Sequence, residues 1–252
     1  MNRALGLYAI AAYSFLHLPL LVLSVFSFNA SRFTRWEGWS LKWYSAMAAD
    51  AALMEAAANS VIIALAATVG ATLVGTLCAY GLWKRRVAWL TGSLYLSLVS
   101  PEIVTGVALL AFYQWAFRFL DVQLGMHTVV LAHVSFSLAY VVVVVLSRLR
   151  TLDPVLEEAA MDLGATPWWA FYRVTLPQLL PGVAAAALLV FTISFDDYVI
   201  TSLVAGVDSE TLPMLIYSTA RRGASPVLNA ISTVLVVGLG GLILFAERLR
   251  EA

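Results

Sequence analysis

Charged side chains are scarce in this 252-residue sequence, and the few that occur cancel. Only 12% of the residues are Asp, Glu, Lys or Arg, whereas ordinary soluble domains carry about 25%. Hydrophobic residues make up 62% of the chain. This composition excludes an ordinary soluble domain, and the formal net charge of zero gives no sign of a nucleic-acid partner.

Motifs for catalysis and nucleotide binding are also missing. The single cysteine, Cys78, excludes an intrachain disulfide. The sequence has no G-x-x-x-x-G-K-[ST], H-E-x-x-H or G-x-S-x-G pattern. His127 and His133 have no metal-type partners close to them in sequence. We therefore expect no catalytic residue, metal site or cofactor in this chain, and ATP hydrolysis would have to come from another polypeptide.

Long apolar runs dominate the sequence instead. A helix needs about 20 mostly apolar residues to cross the hydrocarbon core of a bilayer. The runs predict an all-α integral membrane protein with six transmembrane helices in one domain, residues 1–252. The first run is too long for the core of a signal peptide, so we expect it to be retained. The predicted spans are 4–28, 59–83, 89–117, 128–146, 182–204 and 228–245.

The distribution of basic residues gives the predicted orientation. Six spans place both termini on one side of the membrane, and with cytoplasmic termini the inside segments hold nine basic residues against six outside. The first span favours the opposite orientation, because Arg3 faces Arg32, Arg35 and Lys42 across it. The basic cluster at 84–86 and the polar loop after the fourth span decide the prediction. We expect a multi-pass membrane protein with both termini in the cytoplasm, and the family resemblance given below implies that the membrane is a bacterial inner membrane.

The polar loop covers residues 153–177 and predicts two short helices. Its first half has apolar residues at helical spacing with acids on the other side, which indicates an amphipathic helix that begins near Asp153 and Pro154. Gly164 can end this helix in a left-handed conformation. An aromatic helix follows, which we expect Pro177 and Pro181 to close before the next apolar run. Such a knob could dock into a groove of another protein. The apolar positions are Leu156, Ala159, Ala160 and Leu163, and the acids are Glu157, Glu158 and Asp162.

The same loop resembles a family signature. The order E-A-A, three residues, G, and then L-P after a fixed interval is similar to the EAA loop of permease subunits in binding-protein-dependent ABC importers. The resemblance implies a MetI-like permease fold with cytoplasmic coupling helices that contact a separate ATPase. The residues it assigns to that contact are Glu158, Ala159, Ala160, Asp162, Gly164, Leu176 and Pro177.

Three carboxylates lie within apolar runs: Glu102 in the third predicted span, and Asp196 and Asp197 in the fifth. A charge at the centre of a membrane helix costs at least about 2.5 kcal/mol, so such residues usually face a cavity, a partner or a pathway. All three fall at similar depth and could line a route for a cation. Alternatively, the two aspartates bond neighbouring helices or the arginines Arg221 and Arg222.

Further segments resemble one branch of the same permeases. FTISFDDYVITSLVAG at 191–206, SPEIVTGVALL at 100–110 and the loop at 28–44 are similar to permeases of spermidine/putrescine ABC importers. The resemblance places Asp196, Asp197 and Tyr198 in an acidic motif of the fifth span and implies a polyamine as substrate. Relatives of this branch carry other small solutes, so a phosphonate, an opine or an amino-acid-like molecule stays an alternative.

The resemblance also implies partners and a mechanism. They are two ATPase subunits that bind ATP and Mg²⁺, a homologous second permease, a periplasmic substrate-binding protein and membrane lipid. Closure of the ATPases would move the EAA-type loops and open the pathway outward by alternating access. An ion-driven secondary transporter is the alternative from another class, but many of those proteins have internal repeats and we find none here.

Overall fold

The computed structural model describes residues 3–32, 35–85, 87–118, 122–223 and 225–251, and this part of the chain is nearly all helical. An isolated antiparallel bridge joins Asn29 and Trp39. Arg86, which belongs to the predicted basic cluster, lies outside the described residues. The helices are α1 Arg3–Phe26, α2 Lys42–Ala49, α3 Ala51–Lys84, α4 Ala88–Val99, α5 Glu102–Phe117, α6 Met126–Leu149, α7 Val155–Asp162, α8 Pro167–Ala170, a π-helical turn Phe171–Thr175, α9 Leu176–Asp196, α10 Val199–Val204, α11 Leu212–Arg222 and α12 Pro226–Glu251.

The membrane setting is confirmed by the lengths of these helices. Among the described residues, four helical stretches are long and apolar enough to cross a bilayer. They become five if α4 and α5, which meet at a bend of 111°, form one span. The apolar part of α12, Pro226–Gly238, is shorter, so the sixth span stays a prediction. The four stretches are Leu5–Phe26, Ala51–Lys84, Met126–Leu149 and Pro167–Asp196.

Two predicted spans differ from the observed helices. The run 89–117 is not one helix, because it breaks at Ser100 and Pro101. The run 182–204 also breaks, since α9 ends at Asp196 and Asp197 has an extended backbone with ψ 126°. Hydrophobicity cannot reveal such breaks, because the apolar character continues across them.

The chain divides into two compact units, which we call the terminal unit and the central unit. The terminal unit contains the residues up to Glu55 and those from Leu215 on, and the central unit is Ala56–Met214. The prediction of a single domain over residues 1–252 stays a prediction.

In the terminal unit, α12 packs against α1 and α2. The loop between α1 and α2 is ordered by Asn29, whose side-chain amide donates to the carbonyl of Arg35 at 2.8 Å and accepts from the N–H of Glu37 at 3.0 Å. The Trp43 indole donates to the Asn29 carbonyl at 2.7 Å. The apolar 18-residue window of α1 has no buried residue, so this helix offers a continuous apolar surface to lipid or to another subunit.

In the central unit, α6 contacts α4, α5, α9 and α10. Lipid is as apolar as a leucine side chain, so these helices associate through close packing rather than through the hydrophobic effect. Small residues spaced four apart on α3 allow this close packing: Ala71 and Ala79 are fully buried, and a Cβ on Gly75 would lie 2.6 Å from Cγ1 of Val141 on α6.

Glycine also brings α5 against α10. A Cβ on Gly106 would lie 2.6 Å from Cδ1 of Leu203 and 3.4 Å from Cα of Ile200. Gly106 is one turn after Glu102, where α5 begins. The close approach therefore holds the first turn of α5 near α10.

We predict that Gly75→Leu destabilises the protein, because the added side chain must displace Val141 in a packed interface. Overpacking of this kind costs about 1–3 kcal/mol. The matched control is Gly81→Leu on the same helix, where a Cβ would have no heavy atom within 4 Å. Thermal unfolding followed by size-exclusion chromatography in detergent should give a lower midpoint for Gly75→Leu alone. Equal midpoints for the two variants would contradict this account of the packing.

Candidate functional site

The two helix breaks of the central unit lie at one cavity of about 340 Å³. At the first break, Ser100 and Pro101 have extended ψ values of 133° and 135°. Because proline has no N–H, this break leaves one unpaired backbone donor fewer than it would with any other residue at position 101. At the second break, Asp197 and Tyr198 separate α9 from α10. Non-helical backbone within a membrane is tolerated where it lines a polar cavity, and residues of both breaks line this cavity.

All four residues predicted for the pathway line this cavity. Hydroxyl and aromatic side chains complete the wall, and sequence reasoning had not identified them. The lining residues are Ser97, Ser100, Glu102, Thr105, Phe136, Tyr140, Ile193, Asp196, Asp197, Tyr198, Val199 and Ile200. The structure thus brings together residues from five helices, α4, α5, α6, α9 and α10, and from both breaks. Their role in transport stays a prediction.

The three acids differ in how they are held. Glu102 and Asp196 have exposed side chains at the cavity wall. The Asp197 side chain is only 5% exposed, and its Oδ2 accepts hydrogen bonds from the Thr201 N–H at 2.8 Å and from the Thr201 hydroxyl at 2.7 Å. The sequence left two alternatives open, a place on a cation route or a bonding role, and the geometry differs from one acid to the next. Glu102 and Asp196 face the cavity, whereas Asp197 also fixes the first turn of α10.

The alternative in which the two aspartates bond Arg221 and Arg222 stays a prediction. Arg221 donates to the Tyr217 hydroxyl at 3.1 Å, and Arg222 donates to the Thr219 hydroxyl at 3.1 Å. Both partners lie on the same helix as the arginines, α11.

His133 on α6 joins both sides of the second break. This buried side chain forms hydrogen bonds through Nδ1 to Ser194 Oγ at 2.6 Å and through Nε2 to Thr201 Oγ1 at 2.9 Å. Its Nε2 also lies 3.5 Å from Oδ2 of Asp197. The partners are 61 and 68 residues away in sequence, so no local spacing could have revealed this contact.

The polar loop has the predicted helix–turn–helix form. Asp153 accepts from the Val155 N–H at 3.0 Å and so caps α7, and Gly164 has the expected positive φ, 94°. Thr166 caps α8, with Pro167 in its first turn. The prediction that Pro177 and Pro181 close this element is wrong, because the helical backbone continues from Pro167 to Asp196.

The π-helical turn explains how the helix continues through Pro177. A proline removes the hydrogen bond to the residue four positions earlier and clashes with its carbonyl. For Pro177 that residue is Arg173, which lies within the turn Phe171–Thr175. The wider turn accommodates the proline without a break. Leu176 and Pro177 consequently begin α9 rather than end the loop.

The apolar face of α7 points outward. Leu156 is 48% exposed and Leu163 is 91% exposed, and Glu158 and Ala159 are exposed as well. Asp162 and Gly164 are also exposed, and Ala160 is half-buried. An exposed apolar stripe on a short helix is the surface that helix-in-groove docking uses.

Glu157 was assigned from the sequence to the polar side of α7, yet it is buried against the rest of the central unit. Its Oε1 accepts from the Tyr80 hydroxyl at 2.7 Å and from Lys84 Nζ at 2.6 Å, and its Oε2 accepts from the Thr175 hydroxyl at 2.6 Å. Burial by itself raises the pKa of the Glu157 carboxyl, but these donors outweigh it and hold the pKa below its usual value of 4.5. The stability from this carboxylate is therefore present above that value and is lost as the pH falls through the lowered pKa.

Comparisons with known proteins agree with this architecture. Residues 71–252 match the family model described as binding-protein-dependent transport system inner membrane component. The chain is 42% identical over 240 residues to the putrescine transport system permease protein PotI of Escherichia coli K12, an alignment that covers 92% of this chain and 85% of PotI. It is 39% identical over 236 residues to the spermidine/putrescine transport system permease protein PotC of the same strain, covering 92% and 88%.

A solved structure shows the same fold. A chain of a bacterial ABC transporter involved in the import of the acidic polysaccharide alginate superposes with a TM-score of 0.74 at 14% identity, covering 98% of this chain and 93% of that one. The fold and the sequence define a permease of an ABC importer, a multi-pass protein of the inner membrane and not an enzyme. The chain belongs to the family of inner membrane components of binding-protein-dependent transport systems.

We predict that Asp197→Ala lowers the stability of the protein, because it leaves the buried N–H of Thr201 without its side-chain acceptor. Loss of such a partner costs about 1–3 kcal/mol. Asp196→Ala is the matched control, since that neighbouring side chain is exposed. Unfolding midpoints in detergent test the pair. Equal stability of both variants would contradict the structural role of Asp197.

Proposed function

We propose that this chain forms half of the translocation pathway of an ATP-driven polyamine importer, with the acidic cavity as the place where the substrate passes. The observation that carries the proposal is the convergence of Glu102, Asp196 and Asp197 on the two helix breaks. The identity to PotI and PotC over most of the chain supports the substrate class.

The chemistry of the cavity suits a short chain of protonated amines. Carboxylates provide charge-assisted hydrogen bonds to ammonium groups. The rings of Phe136, Tyr140 and Tyr198 line the same space and offer cation–π contacts and apolar surface for methylene groups. Small-ligand sites usually measure about 300–1,000 Å³, and the cavity lies at the lower end of that range.

The exposed face of α7 supports a contact with a cytoplasmic ATPase. We infer that two ATPase subunits bind ATP and Mg²⁺, and that Glu158, Ala159 and the following turn of this chain dock on one of them. A homologous second permease and a periplasmic binding protein complete the complex. Both termini would then be cytoplasmic. The Lys84–Glu157 ion pair supports this orientation, because it brings the basic end of α3 and the polar loop to the same side.

The proposed mechanism is alternating access. ATP-driven closure of the ATPases displaces α7 on each permease and rocks the two halves. The cavity opens outward against a loaded binding protein and then inward after hydrolysis. In this scheme the chain contributes hydrogen-bond acceptors for the cationic substrate and a helix, α7, that moves with the ATPase.

We predict that Glu102→Gln combined with Asp196→Asn reduces polyamine uptake at least about tenfold, because a charge-assisted hydrogen bond contributes about 1.5–3 kcal/mol and 1.4 kcal/mol corresponds to a factor of ten. Uptake of labelled putrescine and spermidine is measured in cells in which the variant replaces the wild-type chain. The control is Glu55→Gln, an exposed acid outside the cavity.

Purification of the tagged chain in mild detergent accompanies this measurement. Recovery of an ATPase and a second permease with the double variant shows that assembly is intact. Wild-type polyamine uptake by the double variant would contradict the proposed pathway. If the uptake that depends on this chain is that of a phosphonate, an opine or an amino acid, and not of polyamines, the proposed substrate is contradicted.

We predict that Gly164→Ile uncouples uptake from ATP hydrolysis, because a β-branched residue is strained at the φ of 94°. No heavy atom lies within 4 Å of a Cβ at this position, so the effect comes from the backbone rather than from a clash. Gly164→Asn is the control, since asparagine tolerates positive φ better. The ratio of uptake to ATP hydrolysis should fall for Ile and stay closer to wild type for Asn. An unchanged ratio in both variants would contradict a strict turn at Gly164.

A further inference from the structure

The contacts of Glu157 connect three parts of the central unit. The residue lies on α7, Tyr80 and Lys84 lie in the last two turns of α3, and Thr175 lies at the end of the π-helical turn. We call this cluster of Glu157, Tyr80, Lys84 and Thr175 the joint. The Glu157 side chain is 3% exposed, and all of its contacts in the joint are 2.6–2.7 Å long.

A buried carboxylate with several donors is a rigid connection. Charged groups are almost never fully buried unless they are paired, because removing one partner leaves an uncompensated charge. Two carboxylate oxygens hold donors from two different elements here, so α7 cannot move away from either element without breaking charge-assisted hydrogen bonds.

Aromatic packing supports the same connection. The rings of Tyr80 on α3 and Phe171 in the π-helical turn have centroids 4.4 Å apart. The Lys84 ammonium also lies 4.7 Å from the centroid of the Trp83 ring. The joint is therefore a packed unit that orients the Tyr80 hydroxyl and the Lys84 ammonium toward Glu157.

Helix α9 connects the joint to the cavity. Thr175 immediately precedes Leu176, where α9 begins, and Asp196 ends the helix at the cavity wall. The helix has 21 residues, which corresponds to a rod of about 30 Å. One end of α9 is thus attached to α7 through Thr175 and Glu157, and the other end carries an acid of the proposed pathway.

We propose that Glu157 is a positioning residue that locks α7 to α9 and to the end of α3, so that a displacement of α7 moves the cavity end of α9 as one body. This inference rests on the proposed docking of α7 on an ATPase. It adds a residue that the resemblance to the EAA loop does not assign, since that resemblance begins at Glu158.

The test uses the assembled complex with its ATPase, reconstituted in liposomes with its loaded binding protein. Glu157→Gln keeps the shape of the side chain and can still accept from Tyr80 through Oε1, but it loses the charge that pairs with Lys84 and places an amide N–H donor where Oε2 accepted from the Thr175 hydroxyl. We expect the complex to assemble and to hydrolyse ATP within about twofold of the wild-type rate, while the number of substrate molecules imported per ATP falls at least about fivefold. Glu55→Gln is the charge-matched control and should keep the wild-type ratio.

Two milder variants remove one donor each. Thr175→Val and Tyr80→Phe should lower the import ratio in the same direction, whereas Thr192→Val and Tyr95→Phe, at exposed positions on α9 and α4, should not. The double variant Glu157→Gln/Thr175→Val should be no worse than Glu157→Gln alone, because both changes break the same connection. Additive losses of the import ratio in the double variant would contradict the proposal that Glu157 and Thr175 act through one joint.

A purely structural anchor would give a different result. Assembly, ATP hydrolysis and the unfolding midpoint would then fall together in the joint variants, with an unchanged ratio of import to hydrolysis, and the proposal would be wrong. If Glu157→Gln does not assemble, the ratio in Thr175→Val and Tyr80→Phe decides. Failure of the docking proposal is visible separately, because the wild-type chain would then be recovered without an ATPase.

Discussion

The structure depends on one constraint: backbone groups within a bilayer must be paired inside the protein. Continuous helices meet this constraint over most of the described chain. The helices stop at Ser100–Pro101 and at Asp197–Tyr198, and both interruptions lie on the same cavity. At the second break, the Asp197 carboxylate accepts from the backbone N–H groups of Ile200 and Thr201, and His133 bonds the hydroxyls of Ser194 and Thr201. A polar network of this kind stabilises an interruption at membrane depth and leaves Glu102 and Asp196 turned toward the cavity.

The second organising feature is the arrangement of α7. A short amphipathic helix normally covers its apolar face with the rest of the protein. Here the apolar face, with Leu156 and Leu163, is exposed, and the acid Glu157 is buried. The inversion has a physical reason, since Tyr80, Lys84 and Thr175 provide enough donors to keep a carboxylate charged in a buried place. The apolar face is thereby available to another subunit.

The sequence predicted what depends on local pattern. The apolar runs, the cap at Asp153 and the positive φ of Gly164 all follow from residues close to one another, and the structure confirms them. The sequence also suggested that Glu102 and Asp196 could lie close together, because a charged residue in an apolar run usually faces a cavity, a partner or a pathway. Pro101 with Glu102 was recognised as resembling a break, whereas the break at Asp197, the burial of Glu157 and the contacts of His133 were missed. They depend on partners far away in sequence, such as Tyr80 for Glu157 at a separation of 77 residues.

The central claim is that the cavity between the two helix breaks holds the cationic substrate during transport. The most direct measurement is a structure of the assembled complex, trapped with a non-hydrolysable ATP analogue and a polyamine. The account predicts substrate density in this cavity, with an amine nitrogen within about 3 Å of a carboxylate oxygen of Glu102 or Asp196. Substrate density elsewhere in the pathway, with Glu102 and Asp196 bonded only to protein groups, would contradict it.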